Sequence, residues 1–374
     1  MNQQSARNLT MFDLFARSWQ RSAAVMDLRF NADGTAVAFA GADGSLAIAP
    51  LADAESPEKR IRVSADFGQT TIRPRKASAP PLTETAPLAK GTPPLAAGPT
   101  DRFIVASGGE ELLNIDASGE IENTGIRLGR PVTALDHQAA DGITAISDGT
   151  FLYLSRDLGP LNRLEPAADG GIEAIALSPD GLRIAASSAD GLSLWQTTGT
   201  NHECFHLPGR PVSIRWTADS RWIACALGKG GVAFVDPASK RTGILPDFPA
   251  PVKSVCWSRP ANAVIASGAF RIAAWSMETP PLIDNRSGAL TTGRAGHVAI
   301  EQVAAHPLKN LVAASYSDGQ IVVARIGSGD ELPVRHAGGP VMALEWSADG
   351  HHLAIGTADG TAAIVTLPPQ IFKS

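Results

Sequence analysis

Five consecutive residues, His202-Glu203-Cys204-Phe205-His206, spell H-E-x-x-H, the pattern of a zinc-peptidase helix. On a helix, residues i and i+4 share a face. Two imidazoles then reach one Zn²⁺ while the glutamate activates its water. The flanks leave no room for that helix: between Gly199 and the Pro208-Gly209 pair lie about eight residues, too few for a helix stable in its own right. On a strand, side chains alternate, so His202, Cys204 and His206 point one way and Glu203 the other. Three N/S ligands on one strand face are a candidate for zinc or copper, completed by a fourth ligand from elsewhere. The plainer reading is an outer strand with exposed histidines and a half-buried cysteine. Other catalytic patterns are missing. There is no G-x-S-x-G elbow, and the glycines around Lys229 lack the spacing and the Ser/Thr of a phosphate loop. Adjacent His351 and His352 point to opposite faces of a strand, and Cys225 and Cys256 sit in apolar runs that make them inert core residues.

Which element carries residues 202–206 is decided by repeats. Asp-Gly occurs ten times, against about two expected from the 23 Asp and 36 Gly. Asp33 and Asp43 stand ten apart, as do Asp180 and Asp190, and Asp349 and Asp359. Each pair brackets a short apolar run and is followed by another. Asp-Gly supplies the positive φ of tight hairpins, and apolar runs this short are strands buried on both faces. Pro-Val opens a strand at Pro131, Pro211, Pro251 and Pro340, with steps of 80 and 40 between the first three. Proline in that position forfeits no ladder hydrogen bond. A period near 40 with three marked strands per unit predicts an all-β propeller of four-stranded antiparallel blades. Eight units begin near Val25, Pro94, Pro131, Gly171, Pro211, Pro251, His297 and Pro340; seven blades is the alternative. Weaker outer strands are expected at 120–128, 161–166, 203–207, 241–245, 281–285 and 331–336. The last unit has no outer strand of its own, and residues 15–21 are expected to supply it and close the ring. The alternative is a short docked helix with Phe12, Phe15 and Trp19 on one face. In the 40-residue register, 202–206 lies over Thr242-Gly243-Ile244-Leu245-Pro246, a sequence hostile to helix.

Bulk properties agree with one large repeat domain over 1–374, interrupted at 52–91. Apolar residues make up 44% and the net charge is −5, which disfavours attraction of the whole chain to nucleic acid or anionic lipid. No apolar run has the length of a transmembrane helix, and the first residues lack the pattern of a secretory signal. Three cysteines do not make a disulfide framework, and a reducing cytoplasm is expected. Arginine outnumbers lysine 24 to 8, an imbalance associated with high-GC bacterial genomes.

The unit from Gly296 to Ile326 resembles a WD40 repeat. Gly296-His297 stands at the repeat's Gly-His, Ser315 at its strand-b serine and Asp318 at its b–c turn aspartate. The resemblance implies that His297, Ser315 and Asp318 belong to a buried hydrogen-bond network, with Ala324 where the family has tryptophan. Trp195 and Trp275 fill that tryptophan position in other units, and no unit ends in Trp-Asp. The likeness covers about 25–367 apart from the insertion. It implies a non-enzymatic, monomeric scaffold for a protein or peptide partner, without cofactor or membrane role.

Binding is then expected on the face built by d–a and b–c loops. Two d–a loops read Gly-Arg-Pro-Val and place Arg130 and Arg210 equivalently; a b–c turn carries Phe270 and Arg271. Arginine pairs bidentately with carboxylate or phosphate, and an aromatic beside an arginine is a typical hot spot. The competing class is a metal-handling or hydrolytic propeller centred on the channel or on 202–206. A third reading rests on the insertion, which carries six basic residues against one acidic from Lys59 to Lys76, then six prolines from Pro80 to Pro99. It is either a mobile arm for an acidic partner or nucleic acid, or a solvated insertion whose strands patch the blade.

Overall fold

The computed structural model describes residues 9–63, 70–108, 110–164, 171–199, 202–282, 286–368 and 371. Eight four-stranded antiparallel sheets stand around a ring as blades 1 to 8. Within each blade, strands a to d run from the centre outward. The inner strands are Val25–Phe30, Leu95–Ala97, Ala134–Gln138, Ile175–Leu177, Ser213–Trp216, Val255–Ser258, Ile300–Ala305 and Val341–Trp346. Each neighbours the next, and the eighth neighbours the first. The expected count of eight holds.

A blade has two faces to bury, and its neighbours cover both. The core is accordingly divided into eight apolar clusters, one between each pair of adjacent blades. This is why second strands such as Ala36–Gly41 and Ile223–Ala226 are buried along their whole length. All nine described Asp-Gly glycines adopt positive φ, as the turn reading requires. The a–b turns share a second device: a polar side chain at the end of strand a accepts a backbone N–H from across the turn. Ser178 Oγ accepts from Arg183, Thr217 Oγ1 from Trp222 and Ser347 Oγ from His352. In blade 1 Asn31 Oδ1 accepts from Thr35 and Ala36, and in blade 7 His306 Nδ1 accepts from Leu308 and Lys309.

The N-terminal segment closes the ring. Ala16–Gln20 pairs antiparallel with Thr361–Thr366 as the outer strand of blade 8, in the register Ala16↔Val365 to Gln20↔Thr361. The helix alternative is also present, one turn earlier. Met11–Phe15 is a short helix, capped by a reciprocal Thr10/Asp13 box, whose Phe12 and Phe15 pack between blades 7 and 8. Trp19 belongs to the strand and donates its indole N–H to Pro80 O at 2.7 Å.

Outer strands lie at Ile121–Arg127, Asn162–Arg163, His202–His206, Arg241–Leu245 and Glu331–Arg335, inside or within a residue of the expected stretches. Blade 6 differs. Residues 283–285 lie outside the described residues, and the outer strand is Ala289–Thr292, paired Ile272↔Thr292. The physical reason lies in Pro280 and Pro281, which have no N–H to offer a ladder; Pro280 O instead accepts Leu282 N–H at 2.8 Å in a tight turn. Blade 1 takes its outer strand, Thr83–Glu84, from the 52–91 insertion. No helix among the described residues is long and apolar enough to cross a membrane.

Candidate interaction site

Each b–c loop shares a face with the d–a loop of the following blade, because antiparallel strands return the chain to the same end. In blade 6 this loop is held rigidly. Gly268 N–H bonds Ile300 O, Ile300 N–H bonds Ala269 O, and Gly296 N–H bonds Phe270 O, at 2.8 to 3.0 Å. The entry to blade 7 thereby pins the backbone that presents Phe270. Its ring is 43% exposed, among the few large apolar side chains left to solvent. Arg271 beside it is exposed, and Val212, which leads into the inner strand of blade 5 on the same face, is 52% exposed. Arg130 is exposed at the blade 3 entry. Arg210 is half-buried and already paired, reaching back to Glu173 at the blade 4 entry. The four residues singled out from the sequence thus lie on one face, spread over blades 3 to 6. Among the described residues no hydrogen bond or ion pair joins any two of them.

The structure does not assemble the WD40 trio. His297 is exposed. Among the described residues Ser315 Oγ, which is buried, has no hydrogen-bond partner, and Asp318 accepts the Gln320 N–H at 3.0 Å across its own turn. Equivalent serines take another role: Ser187 Oγ accepts the N–H groups of Glu173 and Ala174, and Ser267 Oγ those of Lys253 and Ser254. These serines fasten the start of an inner strand to strand b of the same blade, without a histidine.

Residues 202–206 form the outer strand of blade 4, in the register His202↔Trp195, Cys204↔Ser193 and His206↔Gly191. Alternation holds, but the strand spreads the three candidate ligands. At about 3.4 Å per residue, the backbones of His202 and His206 stand about 14 Å apart, too far for both imidazoles to reach one ion. Two of the three are occupied locally. His202 stacks on Trp195 with ring centroids 5.6 Å apart, and Cys204 Sγ lies 3.5 Å from Ser193 Oγ. Glu203 faces the other way and pairs with Lys240 of blade 5 at 3.1 Å. Among the described residues no group of three His, Cys, Asp or Glu is arranged to hold a metal ion.

The basic stretch of the insertion is largely folded onto its own acids. Arg75 binds Asp53 through both oxygens, at 2.6 and 3.0 Å, and Arg17 lies 3.9 Å from the same carboxylate. Arg73 pairs with Glu55, whose second oxygen takes the N–H groups of Lys76 and Ala77. Arg60 is 2% exposed and donates to the carbonyls of Glu55, Arg73 and Leu14. The last of these ties the insertion to the helix before the ring-closing strand. Burial without a full counter-charge holds the Arg17 and Arg60 guanidinium pKa values below the usual range. Asp53 and Glu55 are held below the carboxylate range, their hydrogen bonds outweighing desolvation.

A feature missed from the sequence lines the channel. Asp27, Arg29, Asp136, Arg215 and Glu345 share the walls of one central cavity of about 670 Å³. Arg29 Nη1 lies 2.9 Å from Asp27 and 3.6 Å from Glu345, and Asp27 raises the Arg29 pKa. Asp136 accepts the N–H groups of Leu177 and His137. Burial raises the Asp136 carboxyl, and lifts that of Glu345 to about 7 against the pull of Arg29. Arg215 is exposed to the channel; partial desolvation there, with Arg29 next in effect, lowers its pKa. The signal was present in the chain: Arg29-Phe30, Arg215-Trp216 and Glu345-Trp346 each set a charge one place before the bulky residue ending an inner strand.

Comparison with known proteins agrees with this architecture. Residues 295–368, blades 7 and 8, match the family model described as Anaphase-promoting complex subunit 4 WD40 domain. The chain is 27% identical over 201 residues to WD repeat-containing protein 1 of Mus musculus, a match spanning 50% of this chain and 32% of that protein. Among solved structures, the computationally designed Ika8 protein superposes with a TM-score of 0.63 at 15% identity, covering 93% of this chain and 98% of that one. A chain of the Mitotic Checkpoint Complex superposes with a TM-score of 0.54 at 14% identity, covering 74% and 90% respectively. At those identities the structural likeness speaks for the fold.

Proposed function

Because the chain is a β-propeller of the WD40-repeat family, we propose that it is a non-catalytic platform whose d–a and b–c face docks a protein or peptide partner. Proteins of this family are typically non-enzymatic and bind other proteins. The observation that carries the reading here is the Phe270 turn: an aromatic ring 43% exposed beside an exposed arginine, on a backbone fixed by the neighbouring blade. A rigid aromatic anchor loses little conformational entropy on binding, and an adjacent guanidinium suits a carboxylate on the partner. Arg130 extends the basic character of the face toward blade 3, while Arg210 contributes only if its bond to Glu173 is exchanged for one to the partner.

The test is a quantitative pull-down from the native host, comparing wild type with F270D/R271E and with L308D. Leu308 is 65% exposed on an a–b turn at the opposite end of the ring. A partner held by wild type and L308D but reduced at least about tenfold by F270D/R271E is the expected result. A partner held equally by all three refutes this face as the docking surface.

A further inference from the structure

The closing strand of blade 8 is held unlike any other outer strand. The others follow strand c of their own blade along the chain. Ala16–Gln20 instead precedes blade 1, and it joins Thr361–Thr366 by noncovalent contacts alone. A short strand paired on one edge, with no hairpin to its own sheet, is where local opening concentrates. Here the insertion grips the face that this strand turns toward blade 1. Alternation puts Arg17 and Trp19 on that face. Arg17 is 2% exposed; it donates to Leu51 O at 3.2 Å and Ala52 O at 3.4 Å and lies 3.9 Å from Asp53. Trp19 donates to Pro80 O and packs, with Leu82, on the apolar cluster between blades 8 and 1. Before the strand, Arg60 donates to Leu14 O at 2.7 Å while it also holds the Glu55 and Arg73 carbonyls within the insertion. After the strand, Arg21 Nε lies 3.5 Å from Glu84. Asp53, Arg60, Pro80 and Glu84 thus meet the segment from Leu14 to Arg21 along its whole length.

We propose that the insertion is a latch on ring closure: the closing strand leaves blade 8 only when the insertion releases it. Two features select coupled release over independent fraying. Arg17 and Arg60 are each 2% exposed, and a guanidinium stripped of its partners while still buried costs far more than one that moves into water with its surroundings. The three bonds of Arg60 also span both parts, so neither part separates without breaking the set. Release bares the edge of Thr361–Thr366, whose Ala362, Ala363, Ile364 and Val365 are buried in the closed ring. An apolar strand with a row of unpaired backbone groups is a template for an added strand. The insertion therefore decides whether blade 8 is complete or open to strand addition. The latch lies at the seam between blades 8 and 1, away from the Phe270 turn of blade 6, and does not rest on the rim reading.

The experiment is amide hydrogen exchange of the full chain, read by mass spectrometry, in wild type, D53N and R60Q. Both substitutions lie in the insertion and leave the closing strand's own sequence intact. The expected result is exchange at least about tenfold faster over Ala16–Gln20 in both variants. The outer strands of blades 4 and 5, His202–His206 and Arg241–Leu245, should keep their wild-type rates. Circular dichroism shows whether each variant folds, and W19F, which removes the indole bond to Pro80, carries the test should neither fold. Two outcomes overturn the proposal: exchange over Ala16–Gln20 is unchanged in the folded variants; or it accelerates equally in all three outer strands, which marks a general loss of stability instead of a latch.

Discussion

Replacing His306 with asparagine isolates one buried titration in this ring. His306 ends the inner strand of blade 7 and is 2% exposed. Its Nδ1 accepts the Leu308 and Lys309 N–H groups, both at 3.1 Å, and its ring lies 4.8 Å from that of Trp346 in blade 8. Protonation of Nδ1 destroys both acceptor bonds. Burial accordingly lowers the imidazole pKa from 6.5 to about 4. A histidine lowered in the folded state contributes its full stability above the unfolded pKa and loses it as pH falls from about 6.5 toward 4. At about 1.4 kcal/mol per unit, the loss between pH 7.5 and 4.5 is about 2.5 kcal/mol. Asparagine keeps the acceptor, as Asn31 does at the same turn of blade 1, and does not titrate. The wild-type curve alone is ambiguous. His352, also lowered to about 4, falls in the same direction, whereas Glu345, raised to about 7, loses stability as pH rises from about 4.5 to 7. Both cancel in the difference between wild type and H306N. Urea denaturation followed by tryptophan fluorescence at pH 7.5, 6.0 and 4.5 provides the assay. H306N should be the less stable protein at pH 7.5, having lost the ring contact, and should recover about 2.5 kcal/mol relative to wild type by pH 4.5. A difference constant to within about 0.5 kcal/mol across that range refutes the assignment of a neutral, accepting His306.

Two further perturbations probe the remaining fold. Asp53 is 6% exposed at its side chain and holds Arg75 and Arg17, so D53N should lower stability by about 2–4 kcal/mol and speed tryptic cleavage after Arg75 and Lys76. An unchanged urea midpoint and cleavage pattern means that the insertion is not clamped through Asp53. Of the three cysteines, Cys204 is exposed while Cys225 and Cys256 are buried, the latter with its thiol pushed up to about 12 by burial. Ellman's reagent should titrate one thiol rapidly in the native protein and all three in urea, and C204S should abolish the fast phase; a second fast thiol contradicts the buried placement of the other two.

How legible each feature was depends on whether the backbone or the environment dictates the residue. Turns that need positive φ leave Asp-Gly pairs at fixed spacing, and strand entries that tolerate proline leave Pro-Val. Those marks were enough to count blades and to turn residues 202–206 from a helix into an outer strand. Outer strands carry weaker marks, because only one side of their ladder is obligatory. In blade 6 an apolar stretch around two prolines drew the expected strand too early, and the true one, Ala-Leu-Thr-Thr, has no signature of its own. The WD40 likeness was sound for the architecture and misleading in detail. His297 stands at the repeat's Gly-His position in sequence and lies in solvent, while the buried, turn-capping histidine of that blade is His306.

The lumen was hidden for a different reason. A charge within an inner strand reads locally as ordinary alternation, with one side chain buried and the next solvated. It is only closure of the ring that sends the polar face of all eight inner strands into one shared space. Asp27, Arg29, Asp136, Arg215 and Glu345 then meet, although more than 300 residues separate the first from the last. Isolated in the chain, each resembles a surface residue; together with Lys253 they set three carboxylates and three cations around one cavity, where desolvation raises Glu345 and lowers Arg215. Stability alone favours small neutral residues at these positions, as Ala176 and Ala304 illustrate.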